Sequence, residues 1–323
     1  MSFSAIHQAI KKNQRFLITT HVTPDPDALA SELAVAMYLK SIKKDVWVIN
    51  AEGVPARYQF IPGSKMVHSV DDHRFKDYDV AIVVDCGDLN RVGSVKKLIR
   101  ADKSLINIDH HVTNDRFGHI NLVMPKASST AEVIYELLGK AHFKITRPVA
   151  LLLYLGIMTD TGSFHYDNTG ARTHEIVSHL LKFKFSVSEI YKKLYETVPL
   201  SDLKYFTKAV NHFEIAFGGR VVFLELRKNL VNKFTQEIDL RDKIFKYLRT
   251  IKGIEVIVIF TEQDRKKTKA NLRSQGNFDV AQLALHFGGG GHKKASGCVI
   301  PGNMKQAKER LLSQIKKEMD ATF

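Results

Sequence analysis

Apolar positions in the first half of the chain gather into short β-branched runs, separated by longer stretches rich in helix formers. Arg15–Thr20 (RFLITT), Asp45–Asn50 (DVWVIN), Asp79–Val84 (DVAIVV) and Ser104–Ile108 (SLINI) read as strands. Residues 28–40 (ALASELAVAMYLK), Thr130–Leu138, Pro148–Met158 and Ala171–Lys182 read as helices, and a further pair reaches to about Leu203. Strands separated by helical stretches predict an α/β domain built on a parallel sheet with helices on both faces.

From about residue 211 the texture changes. Phe213–Phe217 and Arg220–Leu226 flank Gly218-Gly219, a hairpin signal. Ile254–Thr261 and Lys269–Ser274 read as two more strands about the polar turn Glu262–Lys267. Helices are expected at 240–251, 278–286 and 304–319. The pattern therefore predicts a parallel-sheet domain over 1–190, a helical linker over 191–211 and a smaller α+β domain over 212–323. A length of 323 residues, about twice that of one domain, agrees.

Composition narrows the class. The chain is 44% hydrophobic and 25% charged, enough to bury real cores and too apolar for wholesale disorder. Its two cysteines, Cys86 and Cys298, are far apart, which excludes a disulfide scaffold and suits buried thiols in a reducing compartment. No apolar run approaches the roughly 18 residues that span a bilayer, and the N-terminus lacks the apolar core and cleavage site of a secretory signal. A cytoplasmic protein is expected. The net charge of +14 is uneven: residues 211–323 hold 21 basic and 12 acidic side chains. Such a surface draws polyanions, although a solvated lysine-rich face explains the charge equally well.

The candidate chemistry lies at the ends of the predicted strands. His21-Val22-Thr23-Pro24-Asp25-Pro26-Asp27 follows the first, Asp85 the third, and Asp109-His110-His111 the fourth, while Asp160 (in GIMTDTGSF) ends an apolar helix. Groups just beyond the carboxyl ends of parallel strands converge on one crevice. Five carboxylates gathered there, Asp25, Asp27, Asp85, Asp109 and Asp160, repel one another unless a cation neutralises them. Carboxylates with imidazoles suit Mn²⁺, Mg²⁺ or Fe²⁺, and no cysteine is placed for a zinc thiolate. The ligands suffice for two ions about 3.5–4 Å apart that share one carboxylate. Any one of these segments alone is more often a helix cap or a turn; their joint occurrence on an alternating chain favours ligands.

These residues carry a resemblance. Asp109-His110-His111, with His21-x-x-x-Asp25-x-Asp27 upstream and Asp160 downstream, resembles the DHH phosphoesterase superfamily, which includes RecJ-like nucleases. Gly288-Gly289-Gly290-Gly291-His292-Lys293-Lys294-Ala295-Ser296-Gly297 resembles the signature of the DHH-associated domain. The compact length is similar to the oligoribonuclease/pAp phosphatase (nanoRNase) subgroup. The resemblance implies one ion on His21, Asp25 and Asp85, and a second on Asp27, Asp85, His110 and Asp160, with Asp85 bridging. It implies that His111 faces the substrate phosphate and that Asp109 orients an imidazole. Two positions depart from the family pattern: Ala30 replaces a usual glycine, and Pro26 stiffens the loop between two ligands. Neither removes a ligand.

Four consecutive glycines let a backbone approach a ligand closely, and successive N–H groups can form an anion nest. His292, Lys293 and Lys294 add donors beside them. By resemblance this loop, through Gly289, Gly290 and His292, grips a terminal phosphate or sugar. Arg273 matches an arginine-bearing strand of the family and suits a two-point phosphate clamp. Lys266-Lys267 reads as a solvated turn and Phe287 as a core residue. The activity implied is hydrolysis by a metal-activated water of short oligoribonucleotides to 5′-mononucleotides and of pAp to AMP, with Mn²⁺ the first choice. Short RNA or a nucleotide is the partner expected, no membrane is, and a homodimer is left open. The alternatives are a phosphodiesterase for cyclic di-AMP or its linear product pApA, an inorganic pyrophosphatase or exopolyphosphatase, and a catalytically silent nucleic-acid-binding module. The intact ligand set argues against the last.

Overall fold

A computed structural model describes residues 2–72, 77–231, 240–264 and 266–320. It divides into two units, Met1–Glu196 and Thr197–Phe323. The first unit runs α1 (Ser2–Lys12), β1 (Arg15–Thr19), α2 (Pro26–Ser41), β2 (Asp45–Asn50), β3 (Val67–Ser69), β4 (Val80–Val84), β5 (Ser104–Asp109), β6 (Ile120–Val123), α3 (Thr130–Lys140), α4 (Arg147–Asp160), α5 (Ala171–Leu181) and α6 (Val187–Tyr195). Its six strands pair in the order β3-β2-β1-β4-β5-β6, all parallel. Every residue of β4 is buried, which is why it reads as an unbroken apolar run instead of an alternating one.

One face of this sheet, through Phe16, Ile18, Ile82 and Ile106, packs with Leu29 and Leu33 of α2, Leu137 of α3 and Leu153 of α4. The other face, through Leu17, Ile49, Ala81 and Val83, is covered by Tyr78 and by Val92 and Val95, which lie in 3₁₀ turns over Leu89–Leu98. The alanines of α2 (Ala28, Ala30, Ala34, Ala36) are all buried, so Ala30 is accommodated within a close helix contact. Because β1 pairs with β2 on one side and β4 on the other, the winding reverses between β1 and β4. The carboxyl ends of β1, β4 and β5 open at that switch point, where a doubly wound sheet holds its ligands.

The second unit contains α7 (Leu200–Val210), β7 (Glu214–Ala216), β8 (Val221–Leu226), α8 (Lys228–Val231), α9 (Leu240–Leu248), β9 (Val256–Asp264), β10 (Lys267–Ser274), α10 (Val280–His286), β11 (Gly290–His292), β12 (Ala295–Pro301) and α11 (Met304–Asp320). Its sheet order is β11-β12-β10-β9-β8-β7, antiparallel except between β8 and β9. Ala209 and Val210 of α7 join a core with Leu224, Ile257 and Ile244, so the division between units falls before this helix. On the opposite face Phe260 and Leu272 pack with Leu283 of α10 and Leu311 of α11. The described residues of the expected turn are mostly strand: β9 continues to Asp264 and β10 starts at Lys267, because ladder bonds use the backbone and tolerate polar side chains that face water. Among the described residues no helix is long and apolar enough to cross a membrane.

Candidate metal centre

Pro26 opens α2 with its fixed φ, and Asp25 caps the helix by accepting from the Ala28 N–H at 3.0 Å. One turn of chain thus fixes both Asp25 and Asp27. His21, just past β1, places its Nδ1 2.8 Å from the carbonyl of Val22. His110, just past β5, places its Nδ1 3.3 Å from the carbonyl of Ala127. A proton on each Nδ1 leaves both Nε2 atoms as lone-pair donors. They lie 3.7 Å from Asp85 Oδ2 and 3.3 Å from Asp160 Oδ2 respectively.

Asp85 follows β4 in a left-handed conformation, φ 53°, an uncommon backbone for a residue other than glycine. Its Oδ1 accepts from the Thr130 hydroxyl at 2.7 Å and lies 3.9 Å from His110 Nε2 and 3.8 Å from His111 Nδ1. Asp27 lies against the start of α3, its oxygens accepting from the N–H groups of Thr130 at 2.8 Å and Ala131 at 3.0 Å. Asp109, fully buried, accepts from His111 Nδ1 at 2.7 Å, the His110 N–H at 2.8 Å and Asn114 Nδ2 at 2.5 Å. Asn168 Nδ2 reaches the carbonyls of both Ser128, at 2.8 Å, and Asp160, at 3.2 Å, tying the end of α4 to the turn before α3.

Three overlapping groups result, in each of which one ligand atom per residue lies within 4.8 Å of the others: His21, Asp25 and Asp85; Asp27, His110 and Asp160; and Asp85, His110 and His111. The titration shifts show the cost of this convergence. Burial, then the charge of Asp85, pushes Asp27 well above the usual carboxylate range; Asp25, an exposed residue whose carboxyl is nonetheless crowded by protein, is raised in the same order of causes. Burial raises Asp160 to about 7, with His110 opposing and Asp85 and Asp25 adding. Asp85 is also disfavoured by burial, but His21, His111, Thr130 and His110 outweigh it and hold it below its usual value. The Asp109 hydrogen bond raises His111 to about 9 against the effect of burial.

In the second unit, Arg273 of β10 and His292 of β11 both stand opposite Ala295 of β12, so they share one row and one face of the sheet. The Arg273 guanidinium lies over the Phe245 ring, 4.7 Å from its centroid. Gly288 and Gly289 donate their N–H groups to Leu285 and Ala284 at the end of α10, and Gly290 pairs with Gly297. The glycines are not equivalent. A methyl at Gly289 would sit 2.3 Å from the carbonyl oxygen of Gly297, whereas one at Gly290 would meet nothing within 4 Å. Phe287 packs against the second core.

The DHH family N-terminal domain matches residues 15–157, and the DHHA1 domain matches residues 233–321. The chain is 30% identical over 305 residues to a Thermus thermophilus protein named bifunctional oligoribonuclease and PAP phosphatase NrnA, covering 94% of this chain and 89% of that one. It is 31% identical over 290 residues to the Bacillus subtilis protein of the same name, covering 88% of each. A crystal structure of an exopolyphosphatase-related protein from Bacteroides fragilis superposes over 100% of this chain and 98% of that one, with TM-score 0.90 and 26% identity. The chain belongs to the DHH family.

DHH phosphoesterases depend on metal ions, and the donor set fits a divalent cation bound by oxygen and imidazole. Cys86, next to Asp85, is buried with its Sγ 3.1 Å from the Asp88 carbonyl, so it offers no thiolate. Motif reading missed Thr130 and Asn168. Ser129 and Glu132 signal the start of α3, Ser129 Oγ accepting from the Glu132 N–H at 3.1 Å, but nothing in that pattern says the helix end abuts two ligands. The signal available was the Ser128-Ser129-Thr130 cluster itself.

Proposed function

We propose that this DHH protein hydrolyses short oligoribonucleotides to 5′-mononucleotides and pAp to AMP. The observation that carries the reading is the overlap of the three ligand groups through Asp85 and His110, in a chain about 30% identical to relatives of that name. His21, Asp25 and Asp85 are assigned to one divalent ion, and Asp27, Asp85, His110 and Asp160 to a second. Mn²⁺ is the first choice, with Mg²⁺ and Fe²⁺ chemically compatible. When bound, such a pair lowers the pKa of a water and offsets the charge on phosphoryl oxygens.

The side chains complete the reaction. Asp109 holds His111 through Nδ1, which leaves Nε2 to donate to a phosphoryl oxygen or to the leaving oxygen. As the water oxygen bonds to phosphorus, the bond to the leaving oxygen breaks, and the proton from His111 prevents a free alkoxide. The second unit supplies Arg273 and His292, two strands apart in one row and so about 10 Å from each other by ordinary strand spacing. Both are assigned as substrate contacts, with the exposed backbone of Gly290 and the adjoining Gly289 beside them. Two buried thiols without a disulfide suit a reducing compartment, and we assign the cytoplasm.

The test is a substrate panel of pAp, a labelled short RNA, pApA, cyclic di-AMP, pyrophosphate and polyphosphate, each with Mn²⁺ added or chelated. AMP from pAp and mononucleotides from RNA, only with metal, are the expected products. Turnover confined to pyrophosphate or polyphosphate, or activity indifferent to chelation, would overturn the proposal.

A further inference from the structure

The first residues of α3 touch two of the assigned ligands at once. Asp27 takes the N–H groups of Thr130 and Ala131, and Asp85 takes the Thr130 hydroxyl. Thr130 is completely buried. Its hydroxyl is not needed to cap the helix, because Ser129 does that. It carries a single proton, and at 2.7 Å that proton goes to Asp85 Oδ1. No imidazole beside Asp85 comes as close: His21, His110 and His111 stand at 3.7, 3.9 and 3.8 Å.

The direction of this bond matters because the two oxygens of Asp85 face different groups. Oδ2 is the oxygen near His21, and Oδ1 is the oxygen near His110 and His111. A carboxylate on a short side chain rotates readily unless something holds it. We infer that Thr130 is a positioning residue that locks the rotation of Asp85, so that one oxygen serves each ligand group and a single carboxylate is shared between them. The inference rests on the two-ion reading above. It adds that the sharing is imposed by a hydroxyl on a separate helix. Partners that hold a metal ligand in place typically carry a 10–100-fold effect on affinity.

Thr130→Ser and Thr130→Ala differ by one hydroxyl, and Thr130→Val keeps the threonine shape without it. Mn²⁺ binding followed by electron paramagnetic resonance and calorimetry reads affinity and the number of bound ions, with thermal unfolding in EDTA as the check on folding. The alanine and valine variants should bind Mn²⁺ about 10–100-fold more weakly, and serine should stay within about threefold of the parent. If the parent binds no Mn²⁺, the metal reading fails and this inference falls with it. If the parent binds two ions and the alanine variant, folded, binds them equally well, the role of Thr130 alone is refuted. Loss of the fold in both alanine and valine variants, with serine intact, would make the hydroxyl a structural bond and likewise overturn the assignment.

Discussion

Helix α4 passes the carboxylate cluster at Gly156, and a single methyl there tests the geometry of the centre. Built on this backbone, it lies 2.4 Å from Asp27 Oδ1 and 2.6 Å from Ala131 Cβ, where ordinary contact begins near 3.4 Å. Either the carboxylate or the helix must therefore move by about 1 Å. The carboxyl is held by two N–H groups at 2.8 and 3.0 Å, and such hydrogen bonds are worth about 0.5–1.5 kcal/mol each. Moving α4 instead disturbs a packed core, at about 1–3 kcal/mol. Alanine returns about 1 kcal/mol of helix propensity. Gly156→Ala should therefore lose up to about 2 kcal/mol of stability in EDTA and weaken Mn²⁺ binding by about tenfold or more. Urea unfolding with chelator and calorimetric Mn²⁺ titration measure the two effects. A variant as stable as the parent with unchanged Mn²⁺ affinity would refute the close approach of α4 to Asp27.

Asp85→Ala should leave the fold intact and lower kcat by roughly a thousandfold, because both proposed ion sites use this residue; a folded variant with near-full turnover would exclude it from the centre. Arg273→Ala should raise KM about 10–100-fold with a smaller effect on kcat, as expected for loss of a charge-assisted phosphate contact; steady-state kinetics with unchanged KM would remove it from the substrate site. Glu32, fully buried, is raised by burial to about 8, eased by the Asn50 hydrogen bond. The native protein then keeps a proton that the unfolded chain sheds near its ordinary value, so stability falls as pH rises from about 4.5 to about 8. Glu32→Gln should flatten that slope, and identical pH dependence of the urea midpoint in both proteins would contradict it.

What the sequence reveals follows from what each feature is made of. β1, β2, β4 and β5 show as apolar runs because a parallel sheet covered on both sides demands them. The edge strands β3 and β6 have three and four residues with one buried position each, too little for a periodic signal. β11 lies inside the glycine run, where strand propensity is absent and pairing rests on the backbone of β12. The candidate ligands were legible because aspartate and histidine announce their chemistry at strand ends. Thr130 and Gly156 were not, since a hydroxyl or a missing methyl acquires meaning only from its neighbour. For the Thr130 hydroxyl that neighbour is Asp85, 45 positions away in the chain.

The charges of the cluster are sorted by the helix ends that receive them. Asp25 caps α2 and Asp27 meets the start of α3, and the N-terminal end of a helix is where its dipole favours an anion. Asp85 lies among three imidazoles and a hydroxyl, and is the one candidate ligand carboxylate held below its usual value. Asp160 is placed the other way. It ends α4, where the dipole disfavours negative charge, and Asp85 and Asp25 add to the burial that raises it. His110, 3.3 Å away, opposes that rise only in part. A carboxylate carried to the negative end of a helix and turned toward other carboxylates is a poor way to stabilise a fold. It would become a sound arrangement with a cation beside it, and Asp160 is one of the four residues proposed to hold the second ion.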